Sequence, residues 1–136
     1  MKQGERVERI RERARFGRAR RVRSSRDFQR VRRRGRHVSG AFVTVGYARR
    51  DKPDIPTRVG FSVSKRVGGA VQRNRVKRRL REIVRRLLGE MLAGGDVIIT
   101  AKPSAALATF DDLAADLQVL LTRAGLWHTE IQRGDG

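Results

Sequence analysis

The residues best suited to chemistry in this sequence lie in one strongly basic stretch, 70–91, which contains the chain's only asparagine. Arginine forks match phosphate oxygens, and an asparagine amide can donate to a phosphate, a ribose or a base edge. With about 100° per residue, one side of a helix here collects Asn74, Arg75, Arg78, Arg79, Arg81, Glu82, Arg85 and Arg86. Lys77 falls on the boundary of that side, and Arg73 falls nearer the apolar side. The pattern favours a polyanion-binding surface, because a merely solvated face would interleave more acids.

The element that must position these cations is the helix itself. Its apolar residues recur at the spacing of one helix face and are Val76, Leu80, Ile83, Val84, Leu87, Leu88 and Met91. One side of the helix is therefore predicted to bury against a core while the other side holds its cations toward a partner.

Composition supports a polyanionic partner. The 136 residues carry a net charge of +19, and this charge would oppose compaction unless a polyanion neutralised it. Two basic blocks, 1–36 and 65–86, are separated by a nearly neutral region and followed by an acidic end. Nucleic acid is the first candidate and an anionic membrane surface the second.

The apolar run 97–100 is too short to span a bilayer, and the arginine-rich N-terminus lacks a secretory apolar segment, so we predict a cytoplasmic protein.

The remaining sequence predicts one domain built on a sheet. The expected elements are a helix from the Ser24 cap to Gly35, strands at 41–48, 58–64 and 97–101, the basic helix, and a last helix that opens at Thr109 and Asp112 and stops at Gly125. This order predicts an α/β (α+β) sandwich, one mixed sheet of three to four strands with helices packed on it, and residues 37–39 could add an edge strand. We expect a basic, disordered extension at 1–22, the folded domain at 23–125 and a tail at 126–136.

The strand at 58–64 has one apolar face and one small, polar face. Val59, Phe61 and Val63 alternate with Gly60, Ser62 and Ser64. An open polar face beside Lys65 and Arg66 could seat single-stranded nucleic acid if an aromatic platform were present. The candidates for that platform are Phe28, Phe42 and Tyr47, and each could equally be part of the core.

Signals for protein-based catalysis are poor. The two histidines, His37 and His128, favour surface positions, and Asp111 with Asp112 fits the first turn of a helix better than a metal site. The chain has no cysteine, which excludes thiolate nucleophiles and thiolate metal sites. We predict no catalytic residue and no metal ligand in the protein.

The motifs themselves resemble a known family. A Ser-x-Ser-Lys strand end at 62–65, followed by Ala-x-x-Arg-Asn-Arg-x-Lys-Arg at 70–78, strongly resembles the bacterial ribonuclease P protein component. The similarity extends to 27–35 and to 96–103, and covers roughly residues 20–125.

The resemblance implies an accessory subunit of a ribonucleoprotein that removes the 5′ leader from precursor tRNA, with chemistry in the catalytic RNA and Mg²⁺ held mainly by that RNA. It implies a ribosomal-protein-like fold with a left-handed βαβ crossover, and a monomer in a 1:1 complex. The implied contacts to the catalytic RNA are Arg73, Asn74, Arg75, Lys77, Arg78 and Arg81, and the helical projection adds Arg79. The implied leader contacts are Phe28, Ser62, Ser64, Lys65 and Arg66, and the search for an aromatic platform adds Phe42.

The chain departs from the family pattern at two positions. Arg32 stands where some members have a second aromatic residue, and Val45 stands where some have a tyrosine, although Tyr47 is nearby. We therefore expect weaker stacking and stronger phosphate contact in the leader cleft, with Arg32 contributing.

Three other functions compete with this reading. A ribosomal or RNA-chaperone protein would share the charge and the core without a leader cleft. A DNA-binding regulator would need a protruding basic helix, whereas the apolar face here continues to Met91. A free-standing protein nuclease is the weakest alternative, since no carboxylate or histidine constellation is present.

Overall fold

A computed structural model describes residues 21–22, 24–49, 57–87 and 95–126. Its elements in chain order are α1 (Ser25–Arg34), β1 (Arg36–Ser39), β2 (Val43–Arg49), β3 (Arg58–Ser62), α2 (Ala70–Leu87), β4 (Gly95–Ala101), a 3-10 turn (Pro103–Leu107) and α3 (Phe110–Arg123). The strands form one sheet in the order β1-β2-β4-β3. Only the β3–β4 pair is parallel; the β1–β2 and β2–β4 pairs are antiparallel. The predicted mixed sheet with packed helices is confirmed, including the edge strand β1.

The main core lies between one face of the sheet and helices α2 and α3. The sheet contributes Val43, Val45, Val59, Val97, Ile99 and Ala101. Helix α2 contributes Val76, Leu80, Ile83, Val84 and Leu87, all from the predicted stripe, whose last two members lie outside the described residues. A fully buried leucine or isoleucine stabilises the fold by roughly 1.5–3 kcal/mol relative to exposure. This burial fixes which side of α2 faces outward.

Helix α1 covers the opposite face of the sheet with a smaller apolar cluster. Val22, Val31 and Ile98 are buried there, and Phe28 and Ala48 pack against them. Val31 lies over Gly46, and Phe28 lies over Gly60. The helix therefore packs across the face of β3, β4 and β2 and does not lie along one edge of the sheet.

The helix ends follow the predicted capping chemistry. Ser24 accepts a hydrogen bond from the Asp27 amide, and Gly35 caps the end of α1. Thr109 and Asp112 form a reciprocal capping box at the start of α3. Gly125 has a φ of 72°, a left-handed conformation that suits glycine just past a helix end.

Two strand boundaries differ from prediction. β2 begins at Val43 rather than Ala41, because the amides of Ala41, Phe42 and Val43 all donate to the Asp116 carboxylate of α3. β3 ends at Ser62 rather than Ser64, because the chain turns at Ser64, whose Oγ accepts from the Arg66 amide. Ser64 is therefore an exposed turn residue and not part of a strand face.

The folded domain also begins earlier than predicted. Val22 is buried, and its amide donates to the Val59 carbonyl at 3.1 Å, beside a bridge between Arg21 and Val59. These two residues extend the sheet beyond β3. Residues 1–20 and 127–136, which make up the rest of the predicted extension and most of the tail, lie outside the described residues. Within the part of the chain that the structure describes, no helix is long and apolar enough to cross a membrane.

Candidate nucleic-acid interface

The outward side of α2 forms the floor of a shallow cationic groove. The groove has a volume of about 460 Å³ and is lined by Val71, Asn74, Lys77, Arg78 and Arg81. Asn74 and Arg78 are exposed, as is Arg75 one residue further along the helix. Val71 is 71% exposed, so an apolar surface lies among the cations. The groove thus offers forked cations and one amide on the side of the helix that the sequence predicted to face outward, and Val71 adds an apolar contact that the sequence analysis did not include.

Arg73 and Arg81 are half-buried members of the predicted set. The Nε atom of each is buried and has no hydrogen-bond partner among the described residues. Their aliphatic stems therefore cover the apolar boundary of α2 while their charged ends remain near the surface.

Other arginines on α2 make hydrogen bonds or ion pairs within the protein. Arg79 Nη1 donates to the Ala108 carbonyl at 2.9 Å, which ties α2 to the segment before α3. Glu82 accepts from Arg85 at 2.7 Å and pairs with Arg86, whose guanidinium also lies 5.2 Å from the Phe110 ring centre. The structure gives Arg79 a structural bond that the helical projection could not reveal, so we leave it out of the proposed interface.

A second concavity adjoins the α2 groove on the α1 side of the sheet. This Phe28 pocket has a volume of about 250 Å³, and its walls include Arg21, Val22, Phe28, Gly60 and Phe61. Lys77 and Arg81 line both this pocket and the α2 groove. The two cations therefore form a shared wall between the predicted RNA helix and the predicted leader cleft.

An ion-pair network fixes α1, and hence Phe28, against the sheet. The Asp96 carboxylate on β4 is fully buried and pairs with Arg30 of α1 and with Arg58 of β3. Arg58 also pairs with Asp27 at 3.1 Å. Burial alone would raise the pKa of Asp27, but the Ser24 hydroxyl and the charge of Arg58 outweigh it and hold that pKa below its ordinary value. Sequence reasoning did not find this network, because Asp96 entered it only as the first residue of the family-like segment 96–103.

Four hydroxyl residues, one from each strand, form a row beyond α1 on the same face of the sheet. Ser62 pairs with Thr100, Thr100 with Thr44, and Thr44 with Ser39. The Ser39 and Thr44 hydroxyl oxygens are 3.4 Å apart. Sequence reasoning found only Ser62; the other three could be found by alternation along each strand, but only once the register was known.

The remaining predicted leader residues flank this hydroxyl row. Ser64, Lys65 and Arg66 are exposed on the turn after β3, at the end of the sheet where the row lies. Arg32 is exposed on α1, about 140° around the helix from Asp27, and therefore on the flank of α1 toward the row. Phe28 and the hydroxyl row thus lie on the same face of the sheet, and the turn 64–66 lies at the end of that face.

Phe42 does not belong to that surface. It packs against the main core on the opposite face of the sheet, and its amide donates to Asp116. Tyr47 packs against the same core, and Val45 is fully buried in it. Of the three candidate aromatics, Phe28 is therefore the one on the α1 face of the sheet. On β2, Thr44 lies on that same face.

In the described part of the chain, the histidine and the acids named as alternative candidates do not gather into a site. The His37 ring lies 3.3 Å from the Arg32 carbonyl, and Asp111 is exposed in the first turn of α3. His128 lies outside the described residues. Within residues 21–22, 24–49, 57–87 and 95–126, no group of three or more histidines and acids could hold a metal ion.

These features define an α+β protein with a nucleic-acid-binding surface, and comparison with known proteins identifies its family. The family model for ribonuclease P matches residues 16–125, so the chain belongs to the ribonuclease P protein family. A protein component of ribonuclease P from Acidothermus cellulolyticus is 44% identical over 103 residues, covering 76% of this chain and 86% of that protein. One from Chloroflexus aurantiacus is 46% identical over 112 residues, covering 80% of each.

Solved structures agree with this assignment. The Staphylococcus aureus ribonuclease P protein matches with a TM-score of 0.75 and 32% identity, covering 81% of this chain and 99% of that one. The Thermotoga maritima protein matches with a TM-score of 0.68 and 27% identity, covering 76% and 96%. The chain is thus the protein subunit of an endoribonuclease that processes tRNA, and its partner is RNA.

Proposed function

We propose that the chain binds the catalytic RNA of ribonuclease P through the α2 groove and the 5′ leader of precursor tRNA through the face beside α1. The observation that carries this proposal is the shared wall, because Lys77 and Arg81 line both the α2 groove and the Phe28 pocket. A cation at that boundary neutralises phosphates of both RNAs where they approach each other most closely. No comparable observation favours a ribosomal or chaperone role.

Electrostatics supplies most of the affinity in this proposal. Each phosphate that a lysine or arginine neutralises releases counterions and contributes about −0.7 to −0.9 to the slope of log affinity against log salt. The exposed residues Asn74, Arg75 and Arg78 meet the catalytic RNA, with Arg73, Lys77 and Arg81 at the margin. Because α2 is held by a packed core, these charges have one fixed arrangement, which favours a shaped RNA segment over any polyanion.

Leader recognition uses stacking and hydroxyl contacts in addition to charge. Phe28 offers a ring face to one base, and the hydroxyl row can donate to or accept from a flexible single strand. Lys65, Arg66 and Arg32 neutralise its phosphates. Mature tRNA lacks the leader, so these contacts discriminate precursor from product.

We further propose that the chemical step and its Mg²⁺ ions reside in the RNA. The described acids do not gather into a metal-binding group, and Asp27 and Asp96 are already paired with arginines. The protein then acts by positioning the leader and by lowering the ionic requirement for assembly. A cytoplasmic monomer in a 1:1 complex is the state we predict.

The test combines cleavage with binding. Purified protein and the catalytic RNA are assayed for cleavage of precursor tRNA at low Mg²⁺, and the affinity of the complex is compared for leader-bearing and leader-less tRNA. We expect the protein to restore cleavage and to bind leader-bearing tRNA more tightly. Equal affinity for the two tRNAs would support a general RNA-binding role and contradict the leader assignment.

A further inference from the structure

A third concavity lies at the opposite end of the sheet from the hydroxyl row. It has a volume of about 530 Å³, and four of its lining residues are the arginines Arg30, Arg34, Arg36 and Arg49. They come from the second half of α1, the start of β1 and the end of β2. None of them belongs to the α2 groove or to the Phe28 pocket.

The walls of this arginine pocket are held rigidly. Arg30 pairs with the buried Asp96 and also reaches the Arg49 carbonyl, so it joins α1 to the end of β2. Gly35 separates Arg34 from Arg36, and a Cβ atom there would lie 2.6 Å from the Tyr47 carbonyl oxygen. The chain therefore passes from α1 into β1 in close contact with β2, and this contact places the two flanking arginines at the same pocket.

Three of the four charges are available to a ligand. Arg34, Arg36 and Arg49 are exposed, and none of them pairs with an acid among the described residues. Arg34 is stabilised by the negative end of the α1 helix dipole, which explains a cation at that position. Arg36 and Arg49 lie in strands, so the helix dipole does not explain their positive charges. Three like charges around one concavity repel each other unless an anion lies between them.

The arginine pocket and the α2 groove lie toward opposite edges of the sheet. β1 and β3 are the two edges of the four-stranded sheet, about 14 Å apart at ordinary strand spacing. The α2 groove lies at the β3 edge, where Lys77 and Arg81 reach the Phe28 pocket, whereas Arg36 and Arg49 lie on β1 and β2. The two sites are thus separated by roughly the width of the sheet, too far for one short RNA segment at α2 to contact both with the same phosphates.

We propose that Arg34, Arg36 and Arg49 bind the phosphate backbone of a second, separate segment of the catalytic RNA. This proposal rests on the proposed function, in which α2 binds the first segment. Guanidinium forks that converge from different elements suit adjacent phosphates of a folded strand. The leader is a less suitable occupant, because α1 lies between this pocket and the hydroxyl row. The protein would then bind two segments of the catalytic RNA at once and hold them at a fixed separation.

The first test uses variants of equal charge. Arg36→Ala with Arg49→Ala should weaken binding to the catalytic RNA roughly tenfold and reduce the salt slope by about 1.5 to 2. The control is Arg26→Ala with Arg33→Ala, which removes two exposed arginines from the solvent side of α1. Circular dichroism and thermal unfolding establish that both pairs fold. Equal effects of the two pairs would overturn the proposal and leave only non-specific charge.

The second test locates the RNA, and the absence of cysteine makes it possible. Arg36→Cys and Val71→Cys each provide one attachment point for a reagent that cleaves nearby RNA. We expect cleavage in different segments of the catalytic RNA, one near each site. Cleavage from position 36 only in precursor tRNA, or only in the segment reached from position 71, would refute the second segment. If the wild-type protein failed to bind the catalytic RNA at all, the proposed function itself would be wrong.

Discussion

The Phe28 ring lies directly over Gly60, so that a Cβ atom at position 60 would be 2.8 Å from Phe28 Cζ. The same Cβ would lie 3.0 Å from Ile98 and 3.1 Å from Val22. The ring therefore rests where β3 has no side chain, and this close approach sets the depth of the Phe28 pocket. Leader binding by Phe28 consequently depends on a residue that has no functional group.

Gly60→Ala is expected to displace Phe28 and to weaken leader binding. Overpacking at this contact should reduce the free energy of unfolding by about 1–3 kcal/mol, and tilting the ring should lower the preference for leader-bearing tRNA. Gly69→Ala is the matched control, because a Cβ there meets nothing within 4 Å. Chemical denaturation and tRNA binding measure the two effects. Unchanged leader preference in Gly60→Ala would show that the ring position is unimportant.

Among the acids of the described residues, Asp96 should be the one whose substitution lowers the free energy of unfolding most. Asp96→Asn leaves Arg30 and Arg58 without a full counter-charge, and breaking such a buried pair destabilises a protein by on the order of 3 kcal/mol. We expect a lower unfolding midpoint and loss of both the leader preference and the arginine pocket. Asp111→Asn changes the charge equally at an exposed position and should change the free energy of unfolding by less than about 0.5 kcal/mol.

Acid sensitivity should depend partly on Asp27. Folding lowers its pKa from 3.8, so its charged form stabilises the protein above that value. This contribution is lost as the pH falls through the lower folded pKa. The unfolding free energies of wild type and Asp27→Asn should therefore differ by a constant amount above about pH 5 and converge below pH 3.8. Urea denaturation across this range checks it, and a pH-independent difference would contradict the assignment.

Helices, caps and the buried side of α2 were predictable because each depends on local spacing. The helical spacing of Val76 and Leu80 predicts that they are buried, and the three-residue spacing of Thr109 and Asp112 predicts a helix cap. Register and long-range pairing carry no such local signal. The hydroxyl row, the Asp96 network and the separation of Phe42 from Phe28 all arise from strand order, which pairs residues as distant in sequence as Val43 and Ala101.

The same distinction applies to the contacts that single arginines make within the protein. Arg78 and Arg79 both belong to the predicted cationic side of α2, yet of these two only Arg79 meets a carbonyl acceptor in the described fold, at Ala108. That acceptor belongs to a segment 29 residues away, whose position the projection does not contain. Charge patterning therefore identified the outward side of α2 but not which of its cations are hydrogen-bonded within the fold.

The α2 cations should affect assembly and not the chemical step. Arg73→Ala with Lys77→Ala is expected to weaken binding of the catalytic RNA and to reduce the salt slope by about 1.5 to 2. At saturating protein and Mg²⁺, the single-turnover cleavage rate should stay within about twofold of wild type. Removing the exposed charges of Arg26 and Arg33 together is again the control. A slower cleavage rate with normal assembly would place these residues in the chemical step.

The hydroxyl row should select for the leader without stabilising the fold. Thr100→Val removes a hydroxyl at nearly constant shape from the centre of the row, where Thr100 pairs with both Ser62 and Thr44. Because the side chain is only half-buried and β-branched residues suit strands, stability should change little. Losing one or two hydrogen bonds to RNA should weaken binding of leader-bearing tRNA by roughly 5- to 30-fold while leaving leader-less tRNA unaffected. Thr122→Val on α3 makes the same chemical change far from the row and should leave both affinities unchanged; an equal loss for the two tRNAs in Thr100→Val would remove the row from the leader surface.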